Sequence, residues 1–239
     1  MSNVLLILAG RNLWRQKRRT LLTCLAIAFG IFMLIFLDSL LGGFDESGTK
    51  NLIDLQTGHL QIMSQEQFDA KNLTLDHLFV PEPHWETFNN LPGVEGAAGR
   101  IFFPVRLNTG WEEYSVVGVG IDPEQDPRVF DLPTYLHGQW LAPGEGGMLL
   151  GRRTAELLDL EIGDYLTAVT RTADGAFQAL DFQLVGILAT PHPQLDQGMA
   201  FFPMDVIDEG LALRGQISEI SLRVEPGRLG DVQRAVGSL

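Results

Sequence analysis

Cysteine is nearly absent: the 239 residues include one, Cys24. No disulfide can form within the chain, so its fold rests on an apolar core alone. Basic residues are scarce beyond residue 20. The chain carries 17 Lys and Arg against 30 Asp and Glu. Five of the basic side chains fall in residues 1–20, where no acidic residue stands, leaving 12 basic and 30 acidic, a net of −18, in residues 21–239. That acidity excludes nucleic-acid binding, which needs a basic face, and gives no attraction to anionic lipid. The five histidines (His59, His77, His84, His137 and His192) show no HExxH, HxH or other ligand spacing, so no metal site is nominated. No serine lies in GxSxG. The carboxylates are abundant but scattered, and no catalytic pair among them can be named. No internal repeat or low-complexity run is present.

Charge is missing altogether from residues 21–37, LLTCLAIAFGIFMLIFL. Asp38 interrupts the run, and Ser39, Leu40 and Leu41 extend it to the ~20 residues that a helix needs to cross a hydrocarbon core. It is apolar on every face, whereas a helix on a soluble core keeps one apolar stripe. A cleaved signal peptide has a shorter apolar region of ~7–15 residues and a small-x-small exit; LDSLLGGFDESG offers no clear one. The reading is a transmembrane helix over 21–41, with Asp38 at the far interface. Residues 4–14 (VLLILAGRNLW) suit a short interfacial helix. Trp14, Arg15, Lys17, Arg18 and Arg19 are the membrane-orienting set, because flanking Lys and Arg stay cytoplasmic. The N-terminus is then cytoplasmic and the acidic bulk is translocated.

The remaining residues, 45–239, suffice for one or two compact domains. Alternation and turn signals predict strands at 58–63, 94–107 (with a break), 113–121, 148–150, 165–171, 177–188, 198–203 and 217–224. Ala173-Asp174-Gly175 is a hairpin turn. Helices are predicted at 83–91, opened by Pro83, and at 152–158, 204–213 and 229–236. Residues 122–140, rich in Pro and Asp, read as an ordered loop with one helical turn. Interleaved strands and helices give an α+β fold with a mixed sheet. The run Gly144–Gly151 is followed by Arg152, Arg153 and Thr154. It lacks the Gly-Lys-Ser/Thr order of a phosphate loop, and reads as a structural turn. His192 sits in an exposed stiff turn between Pro191 and Pro193. The pairs Phe102-Phe103 and Phe201-Phe202 each put one ring on either face of a strand, one for the core and the other open to a contact.

As an ordered set, these segments resemble the permease subunits of the MacB/LolC/LolE/FtsX class of ABC transporters. Arg11-Asn12-Leu13-Trp14-Arg15-Gln16-Lys17-Arg18-Arg19-Thr20 looks like that class's approach to its first span. Thr57-Gly58-His59-Leu60-Gln61-Ile62 looks like the first extracytoplasmic strand of the lipoprotein-releasing branch. Val116-Val117-Gly118-Val119-Gly120-Ile121-Asp122 matches its valine-rich strand with Gly-Ile-Asp. Gly147–Gly151, Ala155-Glu156-Leu157-Leu158 and Ile162-Gly163-Asp164 match the strand, short helix and Gly-Asp turn that follow. Leu184-Val185-Gly186-Ile187 and the strand at 220–224 complete the order.

The resemblance implies one N-terminal transmembrane helix and a periplasmic mixed-sheet domain of two α+β subdomains, placed in the inner membrane. It implies no covalent chemistry and no cofactor in this chain. The partners it implies are a cytoplasmic ABC ATPase, a second permease subunit in a homo- or heterodimer, and a periplasmic carrier or adaptor. The task would be release or export of a lipoprotein or other hydrophobic substrate, driven by domain motion. Members of the class continue with three further spans after this domain. The chain is therefore read as an N-terminal fragment of a longer permease, as a split or degraded reading frame, or as a self-sufficient single-span protein. The alternatives in function are a free-standing periplasmic binding or structural module with no ATPase partner, and an anchored hydrolase.

Overall fold

A computed structural model describes residues 17–69, 74–81 and 85–237. The chain divides into two compact units, Met1–Lys50 and Asn51–Leu239. In the first, helix α1 (Lys17–Leu52) runs 36 residues. It contains no proline, and its large apolar side chains from Leu21 to Leu37 are exposed all round, Leu21, Phe29 and Leu34 among them. Arg18–Leu37 is long and apolar enough to cross a membrane. The expected interfacial helix at 4–14 and the Asp38 side chain lie outside the described residues.

The second unit is α+β around a mixed sheet. Its elements after the π turn Ile53–Thr57 are β1 (Leu60–Ile62), α2 (Gln65–Asp69), a 3-10 turn (Trp85–Asn90), β2 (Val94–Asn108) and β3 (Glu113–Ile121). Then come α3 (Asp126–Val129), a second 3-10 turn (Leu132–Tyr135), β4 (Leu136–Gly138), β5 (Gly147–Gly151), α4 (Arg152–Leu157), β6 (Tyr165–Arg171) and β7 (Phe177–Leu188). The chain closes with α5 (Pro193–Gly198), β8 (Met199–Pro203), α6 (Met204–Leu211), β9 (Glu219–Val224) and α7 (Leu229–Val236).

The strand order is β1-β9-β2-β3-β8-β5-β7-β4, with β6 pairing both β2 and β7. Among the described strands, only β3–β8 and β5–β7 are parallel. Because β6 bridges β7 back to β2, the strands β2, β3, β8, β5, β7 and β6 close into a ring. A closed ring of few strands is filled by side chains. Here Phe103, Phe182 and Phe202 fill it, with ring centroids 4.7 Å (Phe182–Phe202) and 5.7 Å (Phe103–Phe202) apart. Gly118 stands opposite Phe103, and a Cβ there would strike the Phe103 ring. The single sheet runs through the whole region in which the resemblance places two subdomains.

Several local expectations need correction. Residues 94–108 form one unbroken strand, with a register shift between Val94 and Gly96 in place of a break. The helix expected over 83–91 is a 3-10 turn from Trp85, and Pro83 lies outside the described residues. Phe103, Phe201 and Phe202 are all fully buried, while Phe102 packs against a second apolar cluster. Of the four rings only Phe102 stays partly accessible, because helices cover the outer face as well. His192 does not stand in a free turn. It is half-buried at the N-cap of α5, whose Asp196 turns back to accept hydrogen bonds from the Thr190 amide and hydroxyl at 2.8 and 2.9 Å.

Candidate functional site

Alternation along β9 and the first half of β2 sorts their side chains onto two faces. Ile101, Ile220, Leu222 and Val224 point into the main core. Arg100, Glu219, Ser221 and Arg223 occupy the opposite face, which on an ordinary two-layer sheet would meet water. Here α3 and the segment Ile53–Thr57 lie over it: Arg100 is 1% exposed and Ser221 0%. A charge this deep persists only when paired.

Arg100 is paired on three sides. Its Nε donates to Asp126 Oδ1 at 2.7 Å and one terminal nitrogen to Asp126 Oδ2 at 2.9 Å. The other terminal nitrogen reaches the Gln56 carbonyl at 3.5 Å. The guanidinium carbon lies 3.3 Å from the centroid of the Phe130 ring, a cation–π stack. Opposite Arg100 in the β2–β9 register stands Glu219. Both its oxygens accept from Gln61 Nε2 at 3.1 Å, and Oε1 also accepts from the Ser221 hydroxyl at 3.0 Å. Burial pushes the Glu219 carboxyl above its usual range, against the pull of Arg100 and then of the hydrogen bonds from Ser221 and Gln61. Burial also pushes Asp126 up, and Arg100 opposes it by charge and by hydrogen bond.

Arg223 forms a second node, less buried. It donates to Asp131 Oδ1 at 3.1 Å and pairs with Asp54 at 3.5 Å and Glu95 at 3.7 Å. The hydrogen bond to Asp131, ahead of the surrounding charges, holds its pKa above the usual arginine value, with partial burial opposing. Backbone bonds tie down the same stretch of chain. The Asp131 amide donates to the Asp54 carbonyl at 2.9 Å and the His59 amide to Leu222 at 2.8 Å. Leu55, 1% exposed, enters the second apolar cluster beside Phe130. Gly58 takes φ +65°, where any added Cβ would press on the Leu222 carbonyl at 3.0 Å.

The result is a clamp. The stretch that continues α1 in sequence is bolted to β2 and β9 by two arginines, a leucine and a glycine turn. Its one hydroxyl beside a carboxylate, Ser221 on Glu219, is buried away from solvent. Among the described residues, no group of three or more His, Cys, Asp or Glu could hold a metal ion. What the clamp does is hold residues 53–58 against β2 and β9.

Of the residues singled out for membrane orientation, Arg18 and Arg19 are exposed in the first turn of α1. Lys17 opens the helix, and its side chain lies outside the described residues, as do Trp14 and Arg15. Sequence reading missed Asp54, Arg100, Asp126, Glu219 and Arg223. The one available signal was Arg100 itself, an arginine within the small and apolar run Ala97-Ala98-Gly99-Arg100-Ile101-Phe102-Phe103 of a central strand.

The fold and the family agree. The MacB-like periplasmic core domain matches residues 20–239. The chain belongs to that family. Among curated relatives, the MacB-like chain is 23% identical over 215 residues to the lipoprotein-releasing system transmembrane protein LolE of Haemophilus influenzae, covering 85% of this chain and 49% of that protein. It is 25% identical over 234 residues to the LolC protein of the corresponding system of Xylella fastidiosa, covering 90% and 53%. The chain thus spans about half the length of the curated relatives it matches. Its fold is similar to the periplasmic region of MacB from Actinobacillus actinomycetemcomitans, with TM-score 0.53, 10% identity and coverage of 74% and 82% of the two chains. It is likewise similar to the extracellular domain of the noncanonic ABC-type transporter YknZ from Gram-positive bacteria, with TM-score 0.50, 13% identity and coverage of 72% and 86%. The MacB-like core is therefore an ABC-permease-type domain preceded by an apolar helix.

Proposed function

We propose that this chain is a permease subunit of an ABC transporter, or the N-terminal part of one. In this reading residues 1–20 are a cytoplasmic leader and 21–41 cross the inner membrane. Trp14, Arg15, Lys17, Arg18 and Arg19 fix the orientation at the cytoplasmic interface, and 45–239 stand in the periplasm. A separate cytoplasmic ATPase supplies the energy, a second permease subunit completes the membrane part, and the domain moves to release or export a lipoprotein or other hydrophobic substrate to a periplasmic carrier or adaptor. The relatives' lipoprotein-releasing systems support the substrate class.

The observation that carries the reading is the clamp on Ile53–Gly58. A flexible tether would hold a domain near a membrane equally well, and would need no buried arginine. A chain that must deliver displacement of a span to a sheet needs a firm attachment at the sheet, and Arg100 and Arg223 hold residues 53–58 there. The test is purification of the tagged native protein from its own membranes in neutral detergent. Recovery of an ATPase subunit with vanadate-sensitive ATP hydrolysis supports the reading. Recovery of the chain alone, at its own mass of 26.4 kDa, without ATP hydrolysis, points to a free-standing module.

A further inference from the structure

Two open concavities meet beside α6 and share Asp205. The first, about 470 Å³, has an apolar floor of Ile101, Met204 and Ile217 between Pro123 and Pro143. The second, about 530 Å³, continues past Leu180 and Val206 to the backbone at Gly144 and Gly146. Carboxylates of Asp122, Glu124, Asp205 and Asp208 rim the first, and Glu209 lies on the second. Among the described residues, no Lys, Arg or His lines either.

Three of these carboxylates are fixed in place by neutral donors. Asp122 accepts from the Glu124 and Gln125 amides at 2.9 and 3.1 Å, Asp205 from Gly144 at 2.6 Å, and Asp208 from Gly215 at 2.8 Å. Such bonds position a carboxylate without cancelling its charge. Among the described residues, none of Asp122, Glu124, Asp205 and Asp208 takes part in an ion pair. Like charges crowded around a low-dielectric floor focus a negative potential there.

Shape and charge together select the occupant. An apolar floor holds a side chain in preference to a hydrated ion. Two joined concavities suit an extended segment more than a compact molecule. A second copy of this chain, at −18 beyond residue 20, and an anionic membrane surface would both be repelled. We propose that the paired concavities are a docking site for an extended basic segment of a partner protein. One aliphatic side chain seats on Ile101, Met204 and Ile217, and lysines or arginines face the rim.

The probe is a fluorescein-labelled dodecapeptide with one leucine set among lysines, titrated by anisotropy onto the full chain in neutral detergent. Its glutamate counterpart is the control. Glu124→Lys, at a side chain that makes no hydrogen bond or ion pair among the described residues, should weaken binding about tenfold. Glu112→Lys, the same charge change in the exposed turn between β2 and β3, should alter it by less than about twofold. A photoreactive benzoylphenylalanine in place of the leucine should label a fragment containing Met204 or Ile217. Equal losses for Glu124→Lys and Glu112→Lys would mean attraction to diffuse acidity, and would overturn the site. So would labelling elsewhere, or equal binding of the glutamate peptide.

Discussion

Arg100 is the side chain on which the clamp depends most. Removing one partner of a buried pair leaves the other charge uncompensated, at ~3–5 kcal/mol. Arg100→Met, which strands Asp126 and Glu219, should lower unfolding stability by that amount in denaturant titration. Arg100→Met/Asp126→Leu should recover the part of the loss due to Asp126, since an apolar replacement of a whole pair is close to neutral, and leave the part due to Glu219. Glu219 gives a pH signature. Burial raises its native pKa, so the folded chain keeps this proton to higher pH than the unfolded chain does. The stability it contributes is complete below the unfolded pKa of ~4.3 and is lost as pH rises through the native value. Asp126, raised by the same cause, adds a fall of the same sign. Glu219→Gln should therefore gain on the wild type as pH rises above ~4.3, and melting temperatures measured from pH 4 to pH 8 should diverge. Parallel curves would contradict the assignment. At this scale the sequence was least legible. The alternation Ile217-Ser218-Glu219-Ile220-Ser221-Leu222-Arg223-Val224 marks the apolar face of β9 correctly, but in an alternating strand polar residues normally signal water. Here they signal a second layer, formed by residues 53–57 and 126–129, far away in the chain.

Elements with strong local signals were readable almost to the residue. β3, the β6–β7 hairpin and α7 fall where β-branched alternation, Ala173-Asp174-Gly175 and an amphipathic run place them. The hairpin turn closes with the Thr172 amide donating to Ala176 at 2.8 Å and Gly175 taking φ +83°. Elements defined by tertiary contact were not. α5 exists because Asp196 caps its own approach through Thr190, and the strand at 94–108 stays whole because β9, β3 and β6 pair along it. Packing inside the ring makes a further demand. Gly118 leaves room for the Phe103 ring, and over-filling a packed core costs about 1–3 kcal/mol. Gly118→Ala should destabilise the domain by that amount in thermal or chemical unfolding. Phe103→Leu should relieve the clash, so that the double variant is more stable than the sum of the two single losses. Strict additivity would mean that the two positions do not meet.

For the whole molecule, hydropathy spoke for the long apolar helix and interleaved strand and helix patterns for α+β class, but neither for the closed ring. That closure depends on β6 touching both β7, its neighbour in sequence, and β2, some sixty residues back, and no local pattern encodes such a pairing. The proposed orientation has a direct check, helped by the scarcity of cysteine. Asp174→Cys, in the exposed hairpin turn, should react with a membrane-impermeant maleimide on cells whose outer membrane has been opened, while Cys24, the only natural thiol, should stay unlabelled in the bilayer. Labelling of position 174 only after the inner membrane is lysed would reverse the orientation.

In the proposed transporter, displacement enters the sheet through the clamped segment. Amide hydrogen exchange across Ile53–Ile62, compared between the nucleotide-free and the ATP–vanadate-trapped forms of the proposed assembly, is the measurement to make. Protection should change in this segment and its β9 partners, and Arg223→Ala should abolish the change. Identical exchange in the two states would contradict it.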